Sequence, residues 1–193
     1  ATDAGACSVV LNFSATSSDN CEVAGTLYSV GEIPITFPHA FPVGTTTVDV
    51  LVTDVHDNTS ACSFTVVVDD QENPQVICPV PLSQYATDPG ECNATLSFEA
   101  IAEDNCGVAD VVYSIGGNPI DFPYNFPVGS TTVNVLVTDI HGNTSACSFV
   151  VNIADQELPQ VTCPLPSNPY STDPDECMAV LSFAATSTDN CGV

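Results

Sequence analysis

The chain repeats itself every 85 residues, and its ten cysteines keep that register without a slip. Cys7, Cys92 and Cys177 align, as do Cys21, Cys106 and Cys191, then Cys62 and Cys147, then Cys78 and Cys163. Laid on Cys92 to Ala154, the segment from Cys7 to Asp69 needs no insertion, and 37 of the 63 aligned positions are identical. A fixed period of this size marks structural units strung in tandem. Residues 1–69 read as a first repeat without its opening strand, 70–154 as a complete second repeat, and 155–193 as the N-terminal part of a third. Both ends match the interior of a repeat, so the 193 residues are expected to be a window on a longer array.

The charge balance narrows the partners. There are 24 Asp and Glu, three His and no Lys or Arg, a formal net charge of -24. Every carboxylate must therefore be solvated, hydrogen-bonded to amides and hydroxyls, or matched by a cation from solution. Self-repulsion of this size favours a soluble chain and disfavours nucleic acid or an anionic membrane as partners of this segment. The absence of Lys and Arg also removes every trypsin cleavage site.

The residues between the cysteines read as strands. Ala94, Leu96, Phe98 and Ala100 alternate with Thr95, Ser97 and Glu99, and Val133, Val135 and Val137 alternate with Asn134, Leu136 and Thr138. This is the period of two of a half-buried strand. The segment ADVVYSIGG is a further strand closed by glycines, Phe149 to Ile153 a last one, and QVI between Pro74 and Pro79 an edge strand. No window has a capped 3.6-residue period. The expected fold is all-β: about seven short strands per repeat, forming immunoglobulin-like two-sheet sandwiches joined by short linkers.

A sandwich of some 85 residues needs covalent support. Ten cysteines without a C-x-x-C pair fit disulfides better than zinc, and disulfides imply an oxidising compartment: the cell surface, the extracellular space or a periplasm. Four cysteines per repeat allow three pairings. The expected strand order brings Cys78 to Cys92 at one pole and Cys106 to Cys147 at the other; by register, Cys163 joins Cys177 and Cys21 joins Cys62. Cys7 and Cys191 are then left over.

The run FPVGTTTVDVLVTDVHDNTSACSFTVVVDDQENPQVICP, repeated as FPVGSTTVNVLVTDIHGNTSACSFVVNIADQELPQVTCP, resembles the hyalin repeat, and the TDPGEC and DNC segments fit its pattern. The resemblance covers the whole chain. It implies an immunoglobulin-like extracellular module found in tandem in matrix proteins and bacterial surface adhesins, associated with adhesion and not with catalysis. The sequence departs from the usual pattern in lacking Lys and Arg, and in placing His56 and His141 where small loop residues are commoner.

Hard oxygen donors gather where one repeat meets the next. Asp70 and Glu72 of the linker DDQENP are expected near Glu103, Asp104 and Asn105 of EDN and near Asp139 and Asn143 of TDIHGN. The second junction offers Asp155, Glu157, Asp189 and Asn190. Calcium, which takes six to eight oxygen ligands, is the expected ion. Asp and Asn also cap turns routinely, and turn chemistry is the competing explanation. His56 and His141 read as exposed loop residues, and no cysteine stands near a general base. Asn12, Asn58, Asn93 and Asn143 begin N-x-Ser/Thr sequons. The expectation is a structural and adhesive extracellular array, the stalk or filament of a long cell-surface protein, whose partners are other copies or repeats. Two alternatives stand beside it: a calcium-dependent module binding surface glycans or proteins, and a spacer for an enzyme or lectin domain elsewhere.

Overall fold

The computed structural model describes residues 1–166 and 169–193, and among them every regular element is a strand. In chain order these are β1 (Ser8–Leu11), β2 (Val23–Val30), β3 (Ile33–Ile35), β4 (His39–Pro42), β5 (Gly44–Asp54), β6 (Thr59–Val68), β7 (Gln75–Ile77), β8 (Tyr85–Ala86) and β9 (Asn93–Leu96). Then follow β10 (Ile101–Glu103), β11 (Val108–Ile115), β12 (Asn118–Ile120), β13 (Tyr124–Pro127), β14 (Gly129–Asp139), β15 (Thr144–Ala154), β16 (Gln160–Thr162) and β17 (Thr186–Thr188). The chain forms two compact units. One holds residues 1–77, 100–112 and 135–147, the other 78–99, 113–134 and 148–193.

In the first unit a four-stranded sheet in the order β3-β2-β5-β6 faces a two-stranded sheet of β1 and β4. The long β5–β6 hairpin runs in register from Gly44 opposite Val68 to Thr53 opposite Thr59. Alternation along both strands turns Val48, Val66 and Val68 inward, where they bury with Phe41 of β4 against Val9 and Leu11 of β1 and Tyr28 and Val30 of β2. Phe13 meets Phe37, Phe41 and Phe64 edge-on at ring-centroid distances of 5.2–6.1 Å. The apolar side chains are therefore sealed between two sheets, as period-two sequences require when each strand has one wet face. Val135 and Val137 of β14 are also buried in this unit, and β7 pairs with β10 from Gln75 opposite Glu103 to Ile77 opposite Ile101.

The second unit uses the same chemistry 85 residues on. Phe98 packs against Phe122, Phe126 and Phe149, the counterparts of the first unit's Phe37, Phe41 and Phe64, at 5.1–6.1 Å. Ala94, Phe126, Val133, Phe149, Val151 and Ile153 are buried. β9 pairs antiparallel with β13, and β8 lies parallel to the end of β15, Tyr85 opposite Ile153.

The alternating run from Cys92 to Ala100 is not one strand. It divides into β9, paired with β13, and β10, paired with β7, because the chain changes partner between Leu96 and Ile101. The proline-rich stretch from Pro119 to Pro127 holds β13 whole and most of β12. Nine described strands lie between Asp70 and Ala154 instead of about seven.

Candidate functional site

Three local motifs fold on their own hydrogen bonds and then meet. In EDN the Oδ1 of Asp104 accepts from the backbone N–H groups of Cys106 (2.9 Å) and Gly107 (3.0 Å), an Asx-type turn that leaves Oδ2 unengaged and presents Cys106. In TDIHGN, Oδ1 of Asp139 accepts from the N–H of His141 (2.7 Å) and of Asn143 (2.9 Å), and Asn143 Nδ2 donates to Oδ2 at 2.7 Å. Desolvation raises the Asp139 pKa, but these bonds from Asn143, His141 and Gly142 outweigh it, and the carboxyl lies below its ordinary 3.8. In the TDAGAC turn, Ala6 N–H donates to Asp3 O and Val10 N–H to Asp3 Oδ2, with Gly5 at φ 72°, which carries Cys7 to the tip.

All three converge on the linker in the first unit. Cys7 and Cys106 are disulfide-bonded with their Cα atoms 4.7 Å apart. Asn105 Nδ2 donates to Ala6 O (3.0 Å) and to Asp70 Oδ1 (3.3 Å), while Glu72 Oε2 accepts from Gly5 N–H at 2.8 Å. Oxygens of Asp70, Asp104 and Asp139 all lie within 4.8 Å of one another, and Asp70 and Asp139 are buried. His141 Nδ1 sits 3.2 Å from Asp70 Oδ2, and Asn143 Nδ2 donates to the carbonyl of Asp70. Two oxygens at this junction, Asp104 Oδ2 and Asn105 Oδ1, are buried with no hydrogen-bond partner. Beside them Gly5, Glu72, Asn73, Gln75, Glu103 and Asp104 line an open cleft of about 240 Å³.

Of the expected ligands, Asp70, Asp104 and Asp139 are thus brought together, Asn105 joins them, and Glu72 is directed to the Gly5 amide. At the second junction, within the second unit, Asn190 Nδ2 donates to Asp155 Oδ1 (3.3 Å) and Glu91 O (2.8 Å), and Asp189 Oδ1 accepts from Cys191 N–H (3.0 Å). Glu157 accepts from Gly90 N–H, and Asn190 Oδ1 is again buried without a partner. His141 is an exposed loop residue, as its sequence position suggests, and it also makes an ion-pair-distance contact with Asp70. Its even spacing within TD-x-x-x-N, two residues from both Asp139 and Asn143, was the available signal.

The cysteine pairing differs from the within-repeat scheme. Cys106 is bonded to Cys7 rather than Cys147, and Cys92 to Cys191 rather than Cys78, each across a sequence separation of 99. Cys78 and Cys147 are disulfide-bonded as well, whereas Cys21, Cys62, Cys163 and Cys177 are free, so the expected Cys21–Cys62 and Cys163–Cys177 bonds are not formed. The reason lies in the turn before β9. Asp88 N–H binds Asn93 O and Glu91 N–H binds Asp88 O, so Cys92 is held at the rim of a tight turn whose Glu91 carbonyl is taken by Asn190. Cys92 therefore faces the next DNC loop instead of the body of its own repeat.

Residues 69–153 match the family model described as HYR domain. The chain is 37% identical to hyalin of Strongylocentrotus purpuratus over 133 residues, 65% of this chain and 11% of that protein. It is 31% identical to hyalin of Lytechinus variegatus over 154 residues, 77% of this chain and 28% of that protein. It is also 31% identical over 104 residues to sushi, von Willebrand factor type A, EGF and pentraxin domain-containing protein 1 of Rattus norvegicus, 53% of this chain and 3% of that protein. The chain thus spans well under a third of each of these relatives. The matched stretch, from Asp69 to Ile153, holds the linker, the cysteine-bearing turn and both acidic loops that meet Asp70, and is similar to a HYR domain.

Proposed function

We propose that this chain is a structural and adhesive segment of an extracellular or cell-surface protein, a stalk or filament built of tandem β-sandwiches locked to one another at acidic, calcium-binding junctions. One observation carries the reading: both Cys7–Cys106 and Cys92–Cys191 span 99 residues, more than one 85-residue repeat, so each bond ties a repeat to its successor. A module that acted alone would have no use for such bonds. Six disulfide-bonded cysteines and the hyalin relatives favour the extracellular setting.

Electrostatics favours the cation. Three carboxylates crowd together, two of them buried, in a chain without one Lys or Arg to compensate them. Burying like charges this close is costly unless a counter-charge enters. The unpartnered oxygens Asp104 Oδ2 and Asn105 Oδ1 add hard donors of the kind calcium takes. Bound there, calcium would draw the linker's Asp70 onto the Asp104 and Asp139 loops and stiffen the joint. A glycan-binding role is less favoured, because neither the cleft of about 240 Å³ at the first junction nor the one of about 560 Å³ at the second has an aromatic side chain in its lining to stack on a sugar.

Electron microscopy of the native assembly, prepared with calcium and again with chelator, tests the reading. A beaded filament that loosens in chelator is expected; isolated globular particles would overturn the stalk. Calcium titration of the oxidised chain tests the junction separately: binding that weakens at least tenfold in Asp104→Ala is expected, and no heat or melting shift with the unsubstituted chain would remove calcium from the proposal.

A further inference from the structure

The two overlapping disulfides have a mechanical consequence that depends on the bond pattern alone. It deepens the structural reading above and would survive its failure. Cys7–Cys106 and Cys92–Cys191 each enclose 99 residues, and the two loops overlap from Cys92 to Cys106. We infer that tension applied along this chain is carried through the disulfides and the overlap segment, bypassing most of each repeat. The covalent route from the N-terminal side enters at Cys7, crosses to Cys106, runs backward through β10 and β9 to Cys92, and crosses to Cys191. Residues 8–91 and 107–190 lie off that route.

The lengths are decisive. An extended chain spans at most about 3.6 Å per residue, so the roughly 14 residue steps of the overlap reach about 50 Å. Adding the two bridges, with Cα–Cα distances of 4.7 and 4.8 Å, the segment from Cys7 to Cys191 cannot exceed about 60 Å however hard it is pulled. Without the bridges the same segment would stretch to roughly 660 Å. Any additional disulfide can only shorten the route. Unfolding under load therefore releases almost no length, and a sandwich that loses its hydrogen bonds stays held at the scale of a folded domain.

Damage tolerance follows from the same topology. A single backbone cut anywhere between Cys7 and Cys191 leaves the two ends covalently joined, because every such cut falls inside at least one closed loop. Near-identical loops closed in succession make an inextensible and nick-resistant strap, a useful property for a protein exposed to flow and proteases.

Single-molecule pulling on the whole chain, with handles at Ala1 and Val193, tests this. Under non-reducing conditions the total end-to-end length is expected to stop at about 90 Å; with reductant it should reach roughly 690 Å, a change of nearly eightfold. Cys92→Ser, which opens one staple and leaves Cys7–Cys106, should give an intermediate limit of at most roughly 340 Å. A non-reducing trace of the unsubstituted chain that extends beyond about 150 Å would overturn the inference. As a second readout, chymotrypsin-nicked chain should keep its full mass on a non-reducing gel and fall into fragments on a reducing one; fragments in both lanes would also overturn it. Neither result depends on whether filaments or calcium binding are found.

Discussion

Opening the first staple should cost more stability than any surface change in the molecule. In the double variant Cys7→Ser and Cys106→Ser the unfolded chain regains the freedom of a loop spanning 99 residues, worth about 4.7 kcal/mol on the chain-entropy estimate for a loop of ~100 residues. For a chain of 150–250 residues each kcal/mol moves the melting temperature by about 2–4 °C, so a fall of roughly 10–19 °C is expected. The remaining contacts of the turn cannot replace it: Glu72 to Gly5 N–H and Asn105 to Ala6 O are two polar bonds of about 1 kcal/mol each. The assay is calorimetry under non-reducing conditions, with Cys21→Ser and Cys62→Ser as the control. Those two thiols are free, so the control should shift melting by no more than about 2–4 °C, the equivalent of ~1 kcal/mol. If the control falls as far as the Cys7/Cys106 variant, or the latter melts within 3 °C of the unsubstituted chain, the pairing argued here is wrong.

Three other outcomes are expected. Asp54 in the first repeat accepts hydrogen bonds from the Asn58 side chain, the Asn58 N–H and the His56 N–H, which hold its pKa below the ordinary 3.8 despite some desolvation. The stability this gives is complete above the unfolded value and is lost as pH falls through the lower folded one, so the melting difference between Asp54→Asn and the unsubstituted chain should be constant near neutrality and shrink as the pH falls below the ordinary 3.8. Phe41→Ala removes a ring with no exposed surface that the rings of Phe13, Phe37 and His39 surround, and urea titration should record a loss of about 3–5 kcal/mol. Gly90→Ala meets no atom within 4 Å but must hold φ +76°, so a loss of about 1 kcal/mol from backbone strain alone is expected, with the Cys92–Cys191 bond retained in peptide maps.

Much of the fold was legible because strands advertise themselves by alternation. Val133, Val135 and Val137 read as inward positions from their spacing, and all three are fully buried. Asp70, Asp104 and Asp139 were also legible as a group, since carboxylates in a linker and in two loops near the same end of a sandwich have few places to go. His141 was not, because its contact with Asp70 depends on how a linker 71 residues earlier folds over its loop.

The boundary between the two kinds of information is clearest at the motifs themselves. Sequence alone determined each short loop: Asp54 with His56 and Asn58 makes the same 2.7–2.9 Å bonds as Asp139 with His141 and Asn143, although the second loop also contacts Asp70 of a linker. Hydrogen bonds between residues two to four apart cost little entropy to form and need no tertiary partner. Sequence alone also determined the period, the absent cations and the apolar faces. Only the tertiary structure decided which cysteines meet. A thiol bonds the thiol that comes within about 6 Å in Cα distance, and that proximity is set by the direction in which a turn is anchored, not by spacing along the chain. The anchoring of Cys92 beside Glu91 and Asn190 sends its bond to Cys191 of the next repeat and not to Cys78 of its own.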